Sequence, residues 1–250
     1  NWNASFNIAS NRNRIVSLLG LDSDGDGNED DLIGSGLFIN ESINSIYDYE
    51  SAGIIQLGEE APSGFFVGTH RIVDQNGDGV VDALDRVIIG REEPAYNFGL
   101  LNEFNYKNFT FRFFINSIQG GKNYSLGLNN PNFGQSDNAR RNNLFVDYDY
   151  WTPANPDARY RGQDQVAGIE YQYYGDRSFV RLQDVSLSYR MNKALIVEKL
   201  GLQGVKIFVS GKNLATWTSW EGWDPETGSG LQPSGLPVMK GYSVGLDVSF

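Results

Sequence analysis

The chain has 250 residues, no cysteine and a formal net charge of −11. The missing thiols exclude a disulfide framework and thiol chemistry, and the acidic balance leaves no basic stripe to neutralise the phosphates of a nucleic acid. Forty per cent hydrophobic residues with a negative mean hydropathy, and no apolar run near the roughly 18 residues that a helical span needs, exclude helical membrane crossings.

Strand-like segments follow one another along the chain. Residues 2–18, 43–50 and parts of 52–73 open the series, with Trp2 placed as an interfacial girdle residue. In the next, 96–106, Tyr96, Phe98, Leu100, Phe104 and Tyr106 alternate with Asn97, Gly99, Glu103 and Asn105, and Asn102 is the one polar break in the apolar set. After the tight turn Tyr106-Lys107-Asn108-Phe109, residues 109–119 place Phe109, Phe111, Phe113 and Ile115 opposite Thr110, Arg112 and Asn116. In 179–190 the phase slips between Leu182 and Val185, which predicts a bulge or a strand top above the membrane. A helix-like stretch lies within 191–204, and 205–214 alternates again. Last comes 241–250, where Tyr242, Val244, Leu246, Val248 and Phe250 share one face and Ser243, Gly245, Asp247 and Ser249 the other.

Alternation over about ten residues is what a strand needs when one face meets lipid and the other a wet lumen. The 13% aromatic content suits interfacial girdles, and the 29 glycines suit turns and loops. The connections 120–178 and 215–240 are long, whereas the turn at 106–109 is short, as in barrels whose loops differ in length between the two sides. These readings make the chain all-β, a transmembrane antiparallel β-barrel segment of about eight strands. An alternating last strand that ends in an aromatic also fits an assembly signal read by strand pairing at an open edge; Tyr242, Val244, Leu246, Val248 and Phe250 would carry it.

The sharpest chemical motif is Asp74 to Asp85. Oxygen ligands fall at loop positions 1, 3, 5, 9 and 12 (Asp74, Asn76, Asp78, Asp82 and Asp85), Gly79 stands at position 6, and the Val80 carbonyl would serve position 7. The spacing matches the calcium loops of EF-hands and dockerins, with Asp85 where a bidentate Glu is usual, so magnesium stays open beside calcium. A solvated turn without metal is the competing reading. The acidic run Asp22 to Asp31 starts in the same way but has Ile33 at position 12, and is expected to be a polar loop.

No catalytic constellation is evident. His70 sits in a strand-like stretch as a wall or loop side chain, and no nucleophile elbow or phosphate loop is present, so no enzyme is expected. Trp151, Trp217, Trp220 and Trp223 fall in the two long connections and are candidates for ligand or lid contact, with loop-core packing or the girdle as the alternative.

Taken together, the motif order resembles the C-terminal part of the SusC/RagA family of TonB-dependent outer-membrane transporters. The resemblance is carried by Trp2 to Val16, Asp74 to Asp85 followed by Ile89-Gly90, Asn97 to Phe111, Tyr150 to Pro156, Ser178 to Tyr189, Gly211 to Leu214, Trp223-Asp224-Pro225-Glu226 and the terminal strand. Arg159-Tyr160-Arg161 and the aromatic run Trp220-Glu221-Gly222-Trp223 depart from the family pattern. The resemblance implies a barrel of about 22 strands, an N-terminal plug that this chain lacks, a SusD-like lipoprotein lid, TonB as energiser, and uptake of a glycan or peptide across the outer membrane of a Gram-negative bacterium. It makes residues 1–250 the C-terminal portion of such a receptor. A secreted calcium-binding β-sandwich that docks to a partner or glycan is the alternative, and a non-transporting outer-membrane scaffold or adhesin a third.

Overall fold

The computed structural model describes residues 1–124, 149–162, 168–191, 199, 201–220, 224–226 and 238–249. Twelve strands are present among the described residues: β1 (Trp2–Ala9), β2 (Ser45–Tyr49), β3 (Ser51–Ile54), β4 (His70–Ile72), β5 (Arg86–Arg91), β6 (Tyr96–Tyr106), β7 (Phe109–Gln119), β8 (Lys122–Tyr124), β9 (Tyr174–Asp176), β10 (Phe179–Met191), β11 (Gly204–Thr218) and β12 (Gly241–Ser249). They fall into two units, one formed by Asn1–Asn11, Pro94–Gly121 and Asp176–Phe250, the other by Arg12–Glu93 and Lys122–Gly175.

The first unit is an antiparallel sheet in the order β1-β6-β7-β10-β11-β12. Cross-strand partners share a face, so the register shows how the alternation of each strand adds to its neighbours. The row Phe104, Phe111, Leu187, Val209 and Val244 runs across five strands, and Tyr106, Phe109, Tyr189, Ile207 and Leu246 form the next. The opposite face carries Glu103, Arg112, Ser186, Ser210 and Ser243 in register. The apolar face is uncovered: Phe6 is 61% exposed, Leu187 42% and Val244 79%. A soluble sandwich would need a second sheet over these side chains, and none of the described residues supplies it.

Two local features keep the apolar face continuous. The register shifts between Leu182 and Asp184 on both sides of β10, as the phase slip predicted. The bulge returns Leu182, opposite Ile115, to the face that holds Val185, opposite Phe113. Asn213 on β11, at φ 52°, lies in the same irregularity. The second feature concerns Asn102, which is buried on the apolar face between Ala4 and Phe113. Its Oδ1 accepts the Trp2 indole N–H at 3.0 Å, while the Trp2 ring stacks on Phe104 at 6.0 Å.

The strand count is the main correction to the sequence reading. Six of the eight expected segments enter the large sheet, but 43–50 and 52–73 form short ribbons of the second unit, β2 with β5 and β3 with β4. Residues 10–18 are not strand, because backbone pairing with β6 ends at Ala9. Residue 217 belongs to β11, so the long connection begins only after Thr218. The helix-like stretch 194–198 lies outside the described residues. Among the described residues no helix is long and apolar enough to cross a membrane.

The second unit has its own small core, Ile55, Phe65 and Ile72, packed by Tyr49, Val67, Val81, Ile169 and Tyr171. A further pair, Phe38 and Tyr47, meets at 4.6 Å.

The Trp2–Asn102 bond gives a direct test. Trp2→Phe, which keeps the ring and deletes the donor, should cost about 1–2 kcal/mol by leaving a buried amide oxygen unpaired. Asn102→Leu in the same chain should recover most of the loss, as read by denaturant unfolding of the intact receptor in detergent. Additive losses in the double variant would show that the bond contributes nothing.

Candidate functional site

The Asp74–Asp85 loop is built from Asx turns. Asp74 accepts the Gly77 and Gly79 N–H groups at 2.7 and 2.8 Å, Asn76 accepts that of Asp78 at 2.9 Å, and Asp78 accepts that of Val80 at 2.8 Å. Gly77 and Gly79 have φ of 75° and 83°, which is the reason for glycine at both positions. The end of the loop closes in a reciprocal capping box: Asp82 accepts from Leu84 N–H, and Asp85 accepts from Asp82 N–H. Asp85 is fully buried and also holds the Gln75 N–H at 2.8 Å. The Asp82 N–H, foremost, keeps its carboxyl below the usual range against the opposing pull of burial. The residue at position 12 thus staples the loop ends together through the backbone. Asp74, Asp78, Asp82 and Asp85 spend their carboxylates on backbone N–H groups, and no three of them bring oxygens together within 4.8 Å.

The acidic run read as a polar loop shows the same turn at its start. Asp22 accepts from Gly25, Asp26 and Gly27 N–H groups. Asp22, Asp24 and Asp30, at positions 1, 3 and 9, offer carboxylate oxygens within 4.8 Å of one another. Glu29 turns away from the trio to hold the backbone of Leu18 and Gly20 at 2.6 and 2.5 Å. Position-12 arithmetic could not reveal this convergence, because it depends on where the chain folds after Gly27.

The tryptophans divide. Trp151 is only 7% exposed; its Nε1 donates to Gln56 Oε1 at 2.9 Å, and its ring lies on Gly68, where a Cβ would sit 2.6 Å away. Trp220 is 9% exposed. Both are packed against neighbouring groups. Trp217 is 59% exposed on β11, and its neighbour across the ladder is Val180. Trp223 lies outside the described residues. Tyr242, Val244, Leu246 and Val248 are exposed on β12, an edge of the large sheet; Phe250 lies outside the described residues.

Two networks were not legible in the sequence. Arg181, 1% exposed on the polar face of β10, donates to Asp224 Oδ1 and Oδ2 at 2.8 and 2.7 Å, to Glu226, and to Thr216 Oγ1 at 3.0 Å. Its guanidinium also stacks 4.8 Å from the Phe179 ring centre. This pins residues 224–226 of the β11–β12 connection to the sheet, helped by Arg177 Nε on the Pro225 carbonyl at 3.1 Å. In the second unit His70 is 7% exposed, with Nδ1 bonded to Ser51 Oγ at 2.7 Å and Nε2 to the Tyr173 hydroxyl. Tyr171 and Tyr173 flank the imidazole ring. Burial, aided by the Arg161 charge, lowers the His70 pKa to about 4. His70 is therefore a neutral link in the interior of this unit.

No protein-family model matches the chain. It is 33% identical over 98% of its length to a TonB-dependent receptor of Formosa agariphila, covering 26% of that protein, and 30% identical over its full length to a second receptor of the same organism, covering 27%. The TonB-dependent receptor SusC of Bacteroides thetaiotaomicron matches at 24% identity over all of the chain and 24% of its own length. Along its whole length the chain is related to TonB-dependent receptors. It spans about a quarter of the length of these relatives. The fold agrees: the RagAB peptide transporter superposes with a TM-score of 0.73 over the whole chain at 22% identity, covering 27% of the matched chain. The same importer in its open-open state superposes with a TM-score of 0.72. The six-stranded sheet of this chain is one arc of an outer-membrane β-barrel wall, open at β1 and β12.

The His70 pair sets a pH dependence. At pH above about 6.5 the ring is neutral whether the unit is folded or not, and its contribution is fully present. Between pH 6.5 and about 4 only the unfolded form takes up a proton, so stability falls, by up to about 3 kcal/mol across the window. Hydrogen exchange across residues 51–72 should therefore accelerate as the pH falls to 4, after correction for intrinsic exchange. His70→Gln should flatten that profile; an identical profile in the variant would remove His70 as its origin.

Proposed function

We propose that this chain forms part of the wall and loops of a TonB-dependent importer that takes up oligosaccharides or peptides beneath a SusD-like lipoprotein lid. The observation that carries the reading is the uncovered apolar face of a six-stranded sheet backed by a polar face, in a chain related along its whole length to TonB-dependent receptors. An apolar face of this kind is stable against lipid, and the polar face suits a hydrated lumen. No chemistry on the cargo is required, since capture and passage account for the residues described. The second unit is proposed as the outward loop assembly that meets the lid, and the terminal strand as the signal read by the barrel-assembly machinery.

The test is uptake of a fluorescent oligosaccharide and peptide library by cells that carry the intact receptor, with and without TonB. Cargo should enter only with both, and the lipoprotein should co-purify from detergent extracts. Phe250→Asp should lower the amount of receptor in the outer membrane and uptake in proportion. Undiminished uptake without TonB, or full receptor levels with Phe250→Asp, would overturn the respective assignment.

A divalent cation, calcium or magnesium, is proposed for the Asp74–Asp85 loop as a structural staple. The support is the oxygen spacing together with the ordered turns at Asp74, Asn76 and Asp78. Bound metal, measured by mass spectrometry on the intact receptor, should disappear with Asp74→Ala/Asp78→Ala and survive Asp22→Ala/Asp24→Ala. The reverse pattern would move the ion to the other loop.

A further inference from the structure

The second unit contains an open cavity of about 720 Å³ lined by Arg12, Arg14, Asn40, Glu41, Ile88 and Arg91 among others. Its size lies within the range of small-ligand pockets. In a chain with 11 more acidic than basic side chains, three arginines line one cavity with a single acidic residue, Glu41, among the lining residues. Among the described residues none of the three arginines is in an ion pair or a side-chain hydrogen bond. The nearby Glu93 makes no ion pair with them; its Oε1 accepts from Asn13 Nδ2, Ser42 Oγ and Asn44 Nδ2 at 2.6, 2.6 and 2.8 Å.

The backbone beneath the arginines is fixed. Asn13, between Arg12 and Arg14, is tied through its amide to Glu93 and to the Ile43 N–H at 2.9 Å. Ile15 N–H donates to the Glu41 carbonyl at 2.8 Å, and Asn40 N–H to the Ile15 carbonyl at 2.9 Å. Arg91 extends from β5, which is paired with β2. The stems of the three cations are thus anchored while their heads are left without partners. A guanidinium offers a planar pair of donors that fits carboxylate or sulfate oxygens, and such bonds are stronger than neutral ones.

We propose that this cavity is a subsite for an acidic oligosaccharide, whose carboxylate or sulfate groups are held by Arg12, Arg14 and Arg91. The remainder of the lining favours a sugar over a peptide. Asn13, Asn40, Ser42 and Ser45 set amide and hydroxyl groups beside the arginines, the groups that exchange hydrogen bonds with sugar hydroxyls. A lipid is disfavoured because none of the lining residues belongs to the apolar sheet. That the ligand is cargo rests on the importer reading; the binding itself does not.

The test is calorimetric titration of the intact receptor, purified in detergent, with tetragalacturonate, a sulfated carrageenan tetrasaccharide, neutral maltotetraose and tetraglutamate. At least one acidic tetrasaccharide should bind, weaken steeply with added salt, and lose about tenfold or more for each of Arg12→Gln, Arg14→Gln and Arg91→Gln. The corresponding Lys variants should keep the salt dependence, and a retained thermal transition shows that each variant is folded. Failure of both acidic sugars to bind, equal binding of maltotetraose, affinities unmoved by the substitutions, or a preference for tetraglutamate would each overturn the proposal. Because binding is read on purified protein, a receptor that binds but does not import defeats the importer reading alone.

Discussion

A backbone amide that faces hydrocarbon must be bonded to a neighbouring strand, since no water is there to take its place. The large sheet of this chain is organised around that requirement. Once β6, β7, β10, β11 and β12 are paired in register, the side-chain period of two assigns every residue to the lipid face or to the polar face. A slip of one residue in any strand would place Arg112 or Asp247 among the phenylalanines and valines of its neighbours. The bulge at Leu182–Asp184 belongs to the same logic. It absorbs one residue of β10 so that the apolar rows on either side remain aligned. The bond from Trp2 to Asn102 solves the complementary problem, satisfying one polar side chain that lies on the wrong face.

The second unit is held together differently. Its apolar core is small, and most of its order comes from short polar side chains that bond the backbone close by in sequence. Asp22, Asp74, Asn76, Asp78, Asp82 and Asp85 all accept N–H groups within ten residues of themselves. Such turns cost little core and suit segments that must remain in water. Longer reach comes from a few polar links, the exposed Glu93–Asn13 bond and the part-buried His70–Tyr173 bond among them. Within the sheet unit, Arg181 plays the comparable part by fastening Asp224 and Glu226.

Charge is used in two ways that a net value of −11 conceals. Arg181 is buried, stacked on Phe179 and saturated by two carboxylates, so its charge is spent on architecture. Arg12, Arg14 and Arg91 line a cavity and have no ion pair among the described residues, so theirs is proposed to serve a ligand. The distinction lies in the company each guanidinium keeps, not in the residue type.

Much of the barrel wall was legible in the sequence, because alternation is a local property and repeats along each strand. Phe109 to Ile115 and Tyr242 to Val248 declare their faces without knowledge of their neighbours, and even the slip at Leu182 is visible as a broken period. The calcium-like spacing of Asp74 to Asp85 is equally local. What alternation does not contain is the partner of each strand. Residues 43–50 and 52–73 look like wall strands, yet they pair as short ribbons in a separate unit, since pairing is settled by contacts distant in sequence. For the same reason the tertiary structure alone decided that Trp151 is buried on Gly68, that Arg181 meets Asp224 across 43 residues, that Asp22, Asp24 and Asp30 converge, and that three arginines from two distant segments line one cavity. By itself the sequence determined which face of each wall strand can meet lipid; the fold determined which polar groups meet one another, because a side chain's partners depend on the path of the whole chain.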